Sequence, residues 1–360
     1  MPTLHKLTSA ETAHNMGVAI LKYGLYPRCR AQNYDNLQNN IFDWKVMNPV
    51  GLAAGFDKHC EAIDGLLNLG FGFIEVGGVT PEPQPGNEKP RVFRLHEDKA
   101  IINRYGFNSF GHQPAVVHVE NWYNKLSENK RGYVGVNLGK NKSTLDAAQD
   151  YVKGVENFGP YVDFLVINVS SPNTPGLRKL QAQDQLQTII KAVVEANSKL
   201  ERENKPPIFV KIAPDLSESD KVAIATVVAA RDSGIDGLVI SNTTLSRPES
   251  LQNKNKVEVG GLSGAPLRQM STDLIRDMYR LTFGRVVIIG VGGVFSGQDA
   301  LDKIKAGASL VQIYSSLAYE GPPVVEKIKK ELSELLKKEG FENVSDAVGY
   351  DVKEDKCATS

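Results

Sequence analysis

Cysteine is scarce in this chain: 360 residues carry only Cys29, Cys60 and Cys357. They lie too far apart for zinc, iron–sulfur or dithiol spacing, and an odd, scattered set is no disulfide framework. A reducing compartment is therefore expected. Charge of one sign is also lacking. Lys plus Arg and Asp plus Glu both number 42, a formal net charge of zero, so nothing draws the chain toward nucleic acid as a whole. No apolar run approaches the ~18 residues of a membrane span. No basic leader precedes the opening MPTLHKLTSAET, so either the natural chain starts here or a leader has been removed. His59, His96 and His112 have no metal-ligand spacing, which leaves them as surface or loop residues and no metal site expected. What is present is an ordinary globular composition, 41% hydrophobic and 23% charged, sufficient for a large core.

The first 30 residues differ from the rest. Thr8-Ser9-Ala10-Glu11 has capping-box spacing, with Thr8 as cap and Glu11 answering. A helix is expected from there to about Tyr23, ended by Gly24 and Pro27, with Ala13, Met16, Gly17 and Ile20 on one face. From residue 50 onward, eight short apolar runs follow: GLAAG, FGFIEVG, YVGVNLG, DFLVINVS, PIFVKIAP, DGLVISN, RVVIIGVGG and SLVQIYS. Helical stretches alternate with them, for example over 59–69, 143–158, 217–233 and 296–306. The runs are continuous in Val, Ile and Leu, not alternating with polar residues, which implies burial on both faces. Eight such units predict an α/β fold, a (β/α)₈ barrel of TIM type. One connection, over 80–132, is far longer than the others. It reads as a functional insertion or lid with a helix near 116–126.

Barrel chemistry sits at the carboxyl ends of the strands. There the first run delivers Ala53, Ala54, Gly55 and Lys58, and the second Gly77 and Gly78. Asn137, Asn168 with Ser171, Asn173 and Thr174, Lys211, Ser241 with Asn242 and Thr243, Gly292 with Gly293, and Tyr314 with Ser315 follow. Bare glycine amides on the seventh run, with a helix starting near Ser296, form the usual barrel phosphate site, although GVGG alone is also an ordinary tight turn. The asparagines, with Asn103 from the insertion, present paired donors and acceptors that match the edge of a cyclic imide. Lys58 and Lys211 fit a Schiff base or a fixed positive charge. Among so many amides the fixed charge is preferred.

The motifs NPVGLAAGFDKH, FGFIEVGGVTPEPQPGNEKPRVFRL, INRYGFNS, GVNLGKNK, NVSSPNTPGLR, FVKIAPDL, NTTLSRP, GGLSGAPL, GVGGVFSGQDA and GASLVQIY stand in this order. Together they resemble the dihydroorotate dehydrogenase family, over nearly the whole chain. Ser171 and the N-terminal helix resemble its quinone-using branch, since the soluble branch carries cysteine at that position. The resemblance implies oxidation of dihydroorotate to orotate in pyrimidine synthesis, with FMN as cofactor and ubiquinone as final acceptor. It implies FMN phosphate on Ser263, Gly264, Gly292, Gly293, Tyr314 and Ser315. The flavin ring would lie among Ala53, Ala54, Gly55, Gly77, Gly78, Asn137, Asn168, Lys211 and Ser241. Lys58, Asn103, Tyr105, Gly106, Phe107, Asn173, Asn242 and Thr243 would hold the substrate. Ser171 would be the base, assisted by Thr174, Phe107 and Lys211, and His14, Arg94 and Tyr314 would line a quinone tunnel. Residues 1–30 would form a hood at the lipid surface serving the second half-reaction, 31–345 the barrel and 346–360 a tail, on the peripheral face of the mitochondrial inner membrane. Gly78, Ser241, Ser315 and Cys60 depart from the residues common in that family. A soluble-acceptor flavoenzyme, a Schiff-base aldolase and a nucleotide sensor are the rival readings.

Overall fold

A computed structural model describes residues 8–26, 32–125 and 132–357. Pro27, Cys29, Leu126 and the outer parts of the expected hood and tail lie outside the described residues.

The eight apolar runs fold as parallel strands β3 (Val50–Leu52), β4 (Phe73–Val79), β7 (Tyr133–Leu138), β8 (Phe164–Asn168), β9 (Ile208–Ile212), β10 (Gly237–Ile240), β12 (Val287–Val291) and β13 (Leu310–Ile313). They follow one another around a closed barrel in chain order, with β13 pairing back onto β3. The amino-terminal half of the barrel is filled by large residues set against small ones. Phe73, Phe164 and Phe209 stand in register with Gly51, Gly135 and Gly237 on the neighbouring strands. A methyl group on those glycines would lie 2.4, 2.2 and 2.4 Å from the facing rings. A hairpin that the sequence pattern did not announce, β1 (Asn39–Ile41) and β2 (Trp44–Val46), closes this end. Trp44 packs on Phe164 and Tyr133, and Phe42 on Phe209. The opposite end is thereby left for chemistry.

Most expected helices start where a polar side chain can cap them. Asp146 caps Ala147–Phe158, Ser217 forms a capping box at the head of Glu218–Val228, and Ser296 caps Gly297–Lys305. The helix expected over 59–69 is shorter, Ile63–Leu67, because the Asp57 carboxylate accepts from the amides of Glu61 and Ala62 and shapes the preceding residues as a turn. The long connection is more than a lid with one helix. Strands β5 (Val92–Leu95) and β6 (Ala100–Asn103) form a hairpin, and β11 (Gly261–Gly264) joins β6 from the far side of the barrel. The connection then ends in a helix at His112–Tyr123, starting before the expected 116.

The first helix, α1 (Ala10–Lys22), corrects two expectations. Its cap is Ser9, whose hydroxyl accepts from the Thr12 amide, not Thr8. Glu11 instead reaches across to Arg91. Met16 and Ile20 are solvent-exposed, whereas Ala13, His14, Gly17 and Leu21 turn inward. At the other terminus, residues expected as a tail pack on the barrel: Ala347 and Val352 are buried, and a helix runs over Tyr350–Cys357.

Gly135→Ala should test the large-against-small packing. Its strand is fixed on both sides, so the added methyl must displace the Phe164 ring. A loss of about 1–3 kcal/mol is expected for overpacking of this kind, read as a lowered midpoint in thermal or urea unfolding. An unchanged midpoint would show that the barrel floor repacks freely.

Candidate functional site

One cavity opens at the carboxyl ends of the strands and continues beneath α1. All the site residues expected from sequence line it except Thr174, which is buried beside it. The cavity has four distinct parts.

Its floor is a buried polar chain inside an otherwise apolar barrel. Glu75, in the middle of β4, has no solvent exposure. Its carboxylate accepts from Asn137 Nδ2 at 2.6 Å, Gln312 Nε2 at 2.8 Å and Lys211 Nζ at 3.3 Å. Asn168 Nδ2 donates to Asn137 Oδ1 at 2.9 Å, and the Ser170 hydroxyl donates to Asn168 Oδ1 at 2.9 Å. Asn242 Nδ2 donates in turn to Ser170 Oγ at 2.9 Å. Each buried amide is therefore oriented by a neighbour, and the Lys211 charge is fixed by Glu75. The sequence reading missed Glu75 and Gln312, and gave Ser170, at the end of the fourth run, no role. A carboxylate in FGFIEVGG and an amide in SLVQIYS, both inside runs read as buried on two faces, were the available signals.

The second part holds Ser171 and the insertion loop. Lys58 Nζ donates to Asn108 Oδ1 at 2.8 Å and stands 2.9 Å from the centre of the Tyr105 ring. Burial pushes this ammonium well below the ordinary lysine range, the Arg91 charge adds to the effect and Glu11 opposes it. Asn173 Nδ2 donates to Asn103 Oδ1 at 3.3 Å, and the Asn173 amide donates to Ser171 Oγ at 3.3 Å. Phe107 adopts a left-handed backbone, φ 52°, and its ring lies against Gly78 and Gly139. Gly78 has φ 64°, so glycine suits its backbone, and Cys60, at φ 60°, occupies a conformation that glycine adopts more easily.

The third part is a cradle of backbone. A methyl on Gly264 would lie 2.3 Å from the Lys99 carbonyl, and one on Gly293 2.6 Å from Arg268. Ser263 Oγ and Ser315 Oγ are 3.0 Å apart. The helix beginning after Ser296 does not aim open amides at this cradle as expected. The Gly297 amide donates to Glu331 and the Asp299 amide to Ser296. The segment that does line the cradle is the start of the helix Ser315–Glu320.

The fourth part lies under α1. Tyr314 donates to the Gly55 carbonyl at 3.2 Å and is 3.4 Å from His14 Nδ1, while Phe56 packs edge-on against the His14 ring. Burial, with the Lys58 charge adding to it, lowers the His14 pKa to about 3, so the ring is neutral near pH 7. Arg94 donates to the Thr8 carbonyl at 2.7 Å.

The residues fit a flavin mononucleotide. The cradle combines close-packed glycine backbone with the Ser263 and Ser315 hydroxyls, and the floor offers amides, an ammonium and the Gln312 Oε1 acceptor. Gln312 Oε1, Ser316 Oγ and Thr174 Oγ1 are buried without a protein partner.

Comparison with known proteins agrees over nearly the whole chain. The family described as dihydroorotate dehydrogenase matches residues 36–336. The chain is 54% identical over 353 residues to dihydroorotate dehydrogenase (quinone), mitochondrial, of Mus musculus, covering 98% of this chain and 89% of the mouse protein. It is 48% identical to dihydroorotate dehydrogenase (quinone) of Azorhizobium caulinodans, covering 96% and 97%. A crystal structure of the Eimeria tenella protein in complex with ferulenol superposes with a TM-score of 0.90 at 45% identity, covering 95% of both chains.

Glu75→Gln keeps the shape of the floor and removes the charge that balances Lys211. Breaking one side of a buried pair typically costs about 3–5 kcal/mol, and a drop of that order in unfolding free energy is expected. Adding Lys211→Met should recover part of it. Additive losses in the double variant would show that the two side chains are not coupled.

Proposed function

The chain belongs to the dihydroorotate dehydrogenase family, and from that premise we propose how its cavity divides the work between dihydroorotate, a flavin and a quinone. The protein is an oxidoreductase of pyrimidine biosynthesis that oxidises dihydroorotate with a quinone as acceptor. The observation that carries the division is the continuity of one cavity from the Ser171 and Lys58 side, past the polar floor, to the apolar face of α1.

The cofactor of this reading is FMN, which when bound takes the hydride from the substrate ring and later passes both electrons to the quinone. Ser263, Gly264, Gly292, Gly293, Tyr314 and Ser315 would hold its phosphate. Ala53, Ala54, Gly55, Gly77, Gly78, Asn137, Asn168 and Ser241 would surround its ring, and Lys211 would supply a fixed positive charge that favours the reduced state.

Lys58 pairs with the substrate carboxylate. Asn103, Asn173, Asn242 and Thr243 match the donors and acceptors of the ring, with Tyr105, Gly106 and Phe107 covering it. Ser171 takes the proton from the carbon next to the ring carbonyl. A serine hydroxyl is a weak base alone, so the proton moves on through water held by Thr174, whose hydroxyl is buried beside the cavity without a protein partner.

The quinone enters under α1, where Ala13, Gly17 and Leu21 offer an apolar wall and His14, Arg94 and Tyr314 orient its carbonyls. Tyr23 and Leu25 are exposed at 68% and 72% beside the half-exposed Met16 and Ile20, the makings of a lipid-facing edge. Among the described residues no helix is long and apolar enough to cross a membrane. Peripheral attachment through residues 1–30, on the mitochondrial inner membrane, fits this edge, with 31–345 as the FMN-binding barrel.

Denaturing extraction should release FMN and no FAD. Flavin-free folded protein would remove the reading. Ser171→Ala should retain flavin and orotate while slowing anaerobic bleaching by dihydroorotate about 10²–10⁴-fold. Bleaching at the unmutated rate would take Ser171 out of the reaction.

Lys58 also sets a pH dependence. Its pKa is depressed in the free site and restored by a bound carboxylate. Orotate affinity should be full below the depressed value and fall by up to about tenfold per pH unit above it. A titration that stays flat up to the ordinary lysine range would remove Lys58 as the carboxylate partner.

A further inference from the structure

We infer that Glu11 and Arg91 are positioning residues for the dihydroorotate site, so that the helix lining the quinone end also sets the affinity of the other end. The inference rests on the assignment of Lys58 and Asn173 to substrate binding.

Glu11 lies in the first turn of α1, and Arg91 immediately precedes β5. Arg91 Nη2 donates to Glu11 Oε1 at 2.8 Å, and Arg91 Nε lies 3.3 Å from both carboxylate oxygens. The remaining Nη1 donates to the carbonyls of Pro85 at 2.8 Å and Asn87 at 2.9 Å. The two side chains are only 7% and 14% exposed, so neither charge is screened by bulk water as a surface pair is.

Two short paths lead from Arg91 to the substrate residues. Its guanidinium lies 5.2 Å from the centre of the Tyr105 ring, and Lys58 stands over that same ring. Its Asn87 partner donates from Nδ2 to the carbonyls of Arg104 at 2.9 Å and Asn173 at 3.4 Å, and from its amide to the Tyr105 carbonyl at 2.9 Å. The packing leaves no slack, since a methyl on Gly86 would lie 2.3 Å from the Tyr105 carbonyl and 3.0 Å from Arg91 Nη1.

Charge adds to geometry. Arg91 and Lys58 are like charges near one aromatic ring, and Glu11 balances the first. Removing the Glu11 charge leaves two cations facing each other and frees one side of the Arg91 fork. Both changes act on where Lys58 and the 85–87 turn sit, and neither touches Ser171.

The test compares holoenzyme variants in the first half-reaction. Glu11→Gln should raise the dissociation constant for orotate, read from the flavin spectrum, and the half-saturating dihydroorotate concentration by about five- to thirtyfold. That is the range for members of one polar network. The limiting rate of anaerobic bleaching should stay within about threefold, because the reacting groups are intact. Glu11→Asp, which keeps the charge, should recover much of the affinity. Lys89→Ala should leave it unchanged, because Lys89 makes only an outer 3.4 Å contact with Glu11 and is 66% exposed. A lowered melting temperature with orotate affinity within about twofold of normal would overturn the inference and leave Glu11 a purely structural anchor. Should Glu11→Gln fail to fold, Arg91→Lys carries the same expectation and the same rejection, since it keeps the charge and loses the fork. Unmutated enzyme that dihydroorotate does not bleach would instead bring down the functional reading itself, which the wild-type control shows separately.

Discussion

A single carboxylate in the barrel interior fixes the layout of everything above it. Glu75 sits without solvent exposure on a strand whose other residues are almost all apolar. An isolated carboxylate there would be too costly to bury, so its neighbours on three other strands must supply donors. Lys211 from β9, Asn137 from β7 and Gln312 from β13 do so. Once those side chains face Glu75, Asn168 is drawn into line behind Asn137, and Asn242 behind Asn168. The polar floor is a consequence of satisfying one buried charge. It also gives the barrel an internal register that hydrophobic packing alone would leave loose.

The barrel was legible in the sequence because its physics is local. Eight continuous Val/Ile/Leu runs separated by capped helices have few other solutions, and all eight became barrel strands. What escaped reading was set by tertiary pairing. β11 is a strand only because β6 reaches it, and GGLSG carries no strand signal of its own. The β1–β2 hairpin is short, and its role as a floor depends on Phe164 and Phe209 more than 100 residues away. The misplaced cap of α1 has the same origin: Glu11 answers Arg91, not a residue of its own turn. For the cavity, residue identities were readable from motifs at strand ends. The buried partners that orient them were not, because a lone Glu or Gln in an apolar run does not say which strand it faces.

The two ends of the cavity have opposite needs. Dihydroorotate is an anion with a polar ring and needs charge and amides, which in the proposed reading Lys58 and the asparagines offer. A quinone needs apolar walls and few hydrogen bonds, which in the same reading Ala13, Gly17 and Leu21 offer, with a neutral His14 near pH 7. Tyr314 stands where these environments meet, its hydroxyl shared between the Gly55 carbonyl and the His14 side. Neutrality of His14 follows from burial beside Lys58. In the proposed reading, the Lys58 charge that suits the substrate end thus helps to keep the His14 side uncharged.

A helix that roofs an open cavity cannot be held in the ordinary way. Core packing along its inner face would fill the space its ligand requires, and α1 accordingly buries only Leu21 fully. Small residues, Ala13 and Gly17, keep the roof thin over the cavity. The helix is fixed mainly at its ends. At its start Glu11 is clamped by Arg91, with the carboxylate placed where the helix dipole favours it. At its finish Lys22 meets Glu61 at 2.6 Å, and the Leu21 carbonyl sits so close to Gly65 that a methyl there would lie 2.4 Å away. The finishing pair is partly exposed and contributes little; the starting pair is buried and cannot be broken without exposing its charge or leaving it uncompensated. The roof is therefore tied at both ends, by the Glu11–Arg91 pair on the side of Tyr105 and Lys58 and by Leu21 packed against Gly65 at the finish. In the proposed reading, a roof held at its ends and thin between them leaves room for an apolar ligand beneath α1 while Tyr105 and Lys58 keep their places.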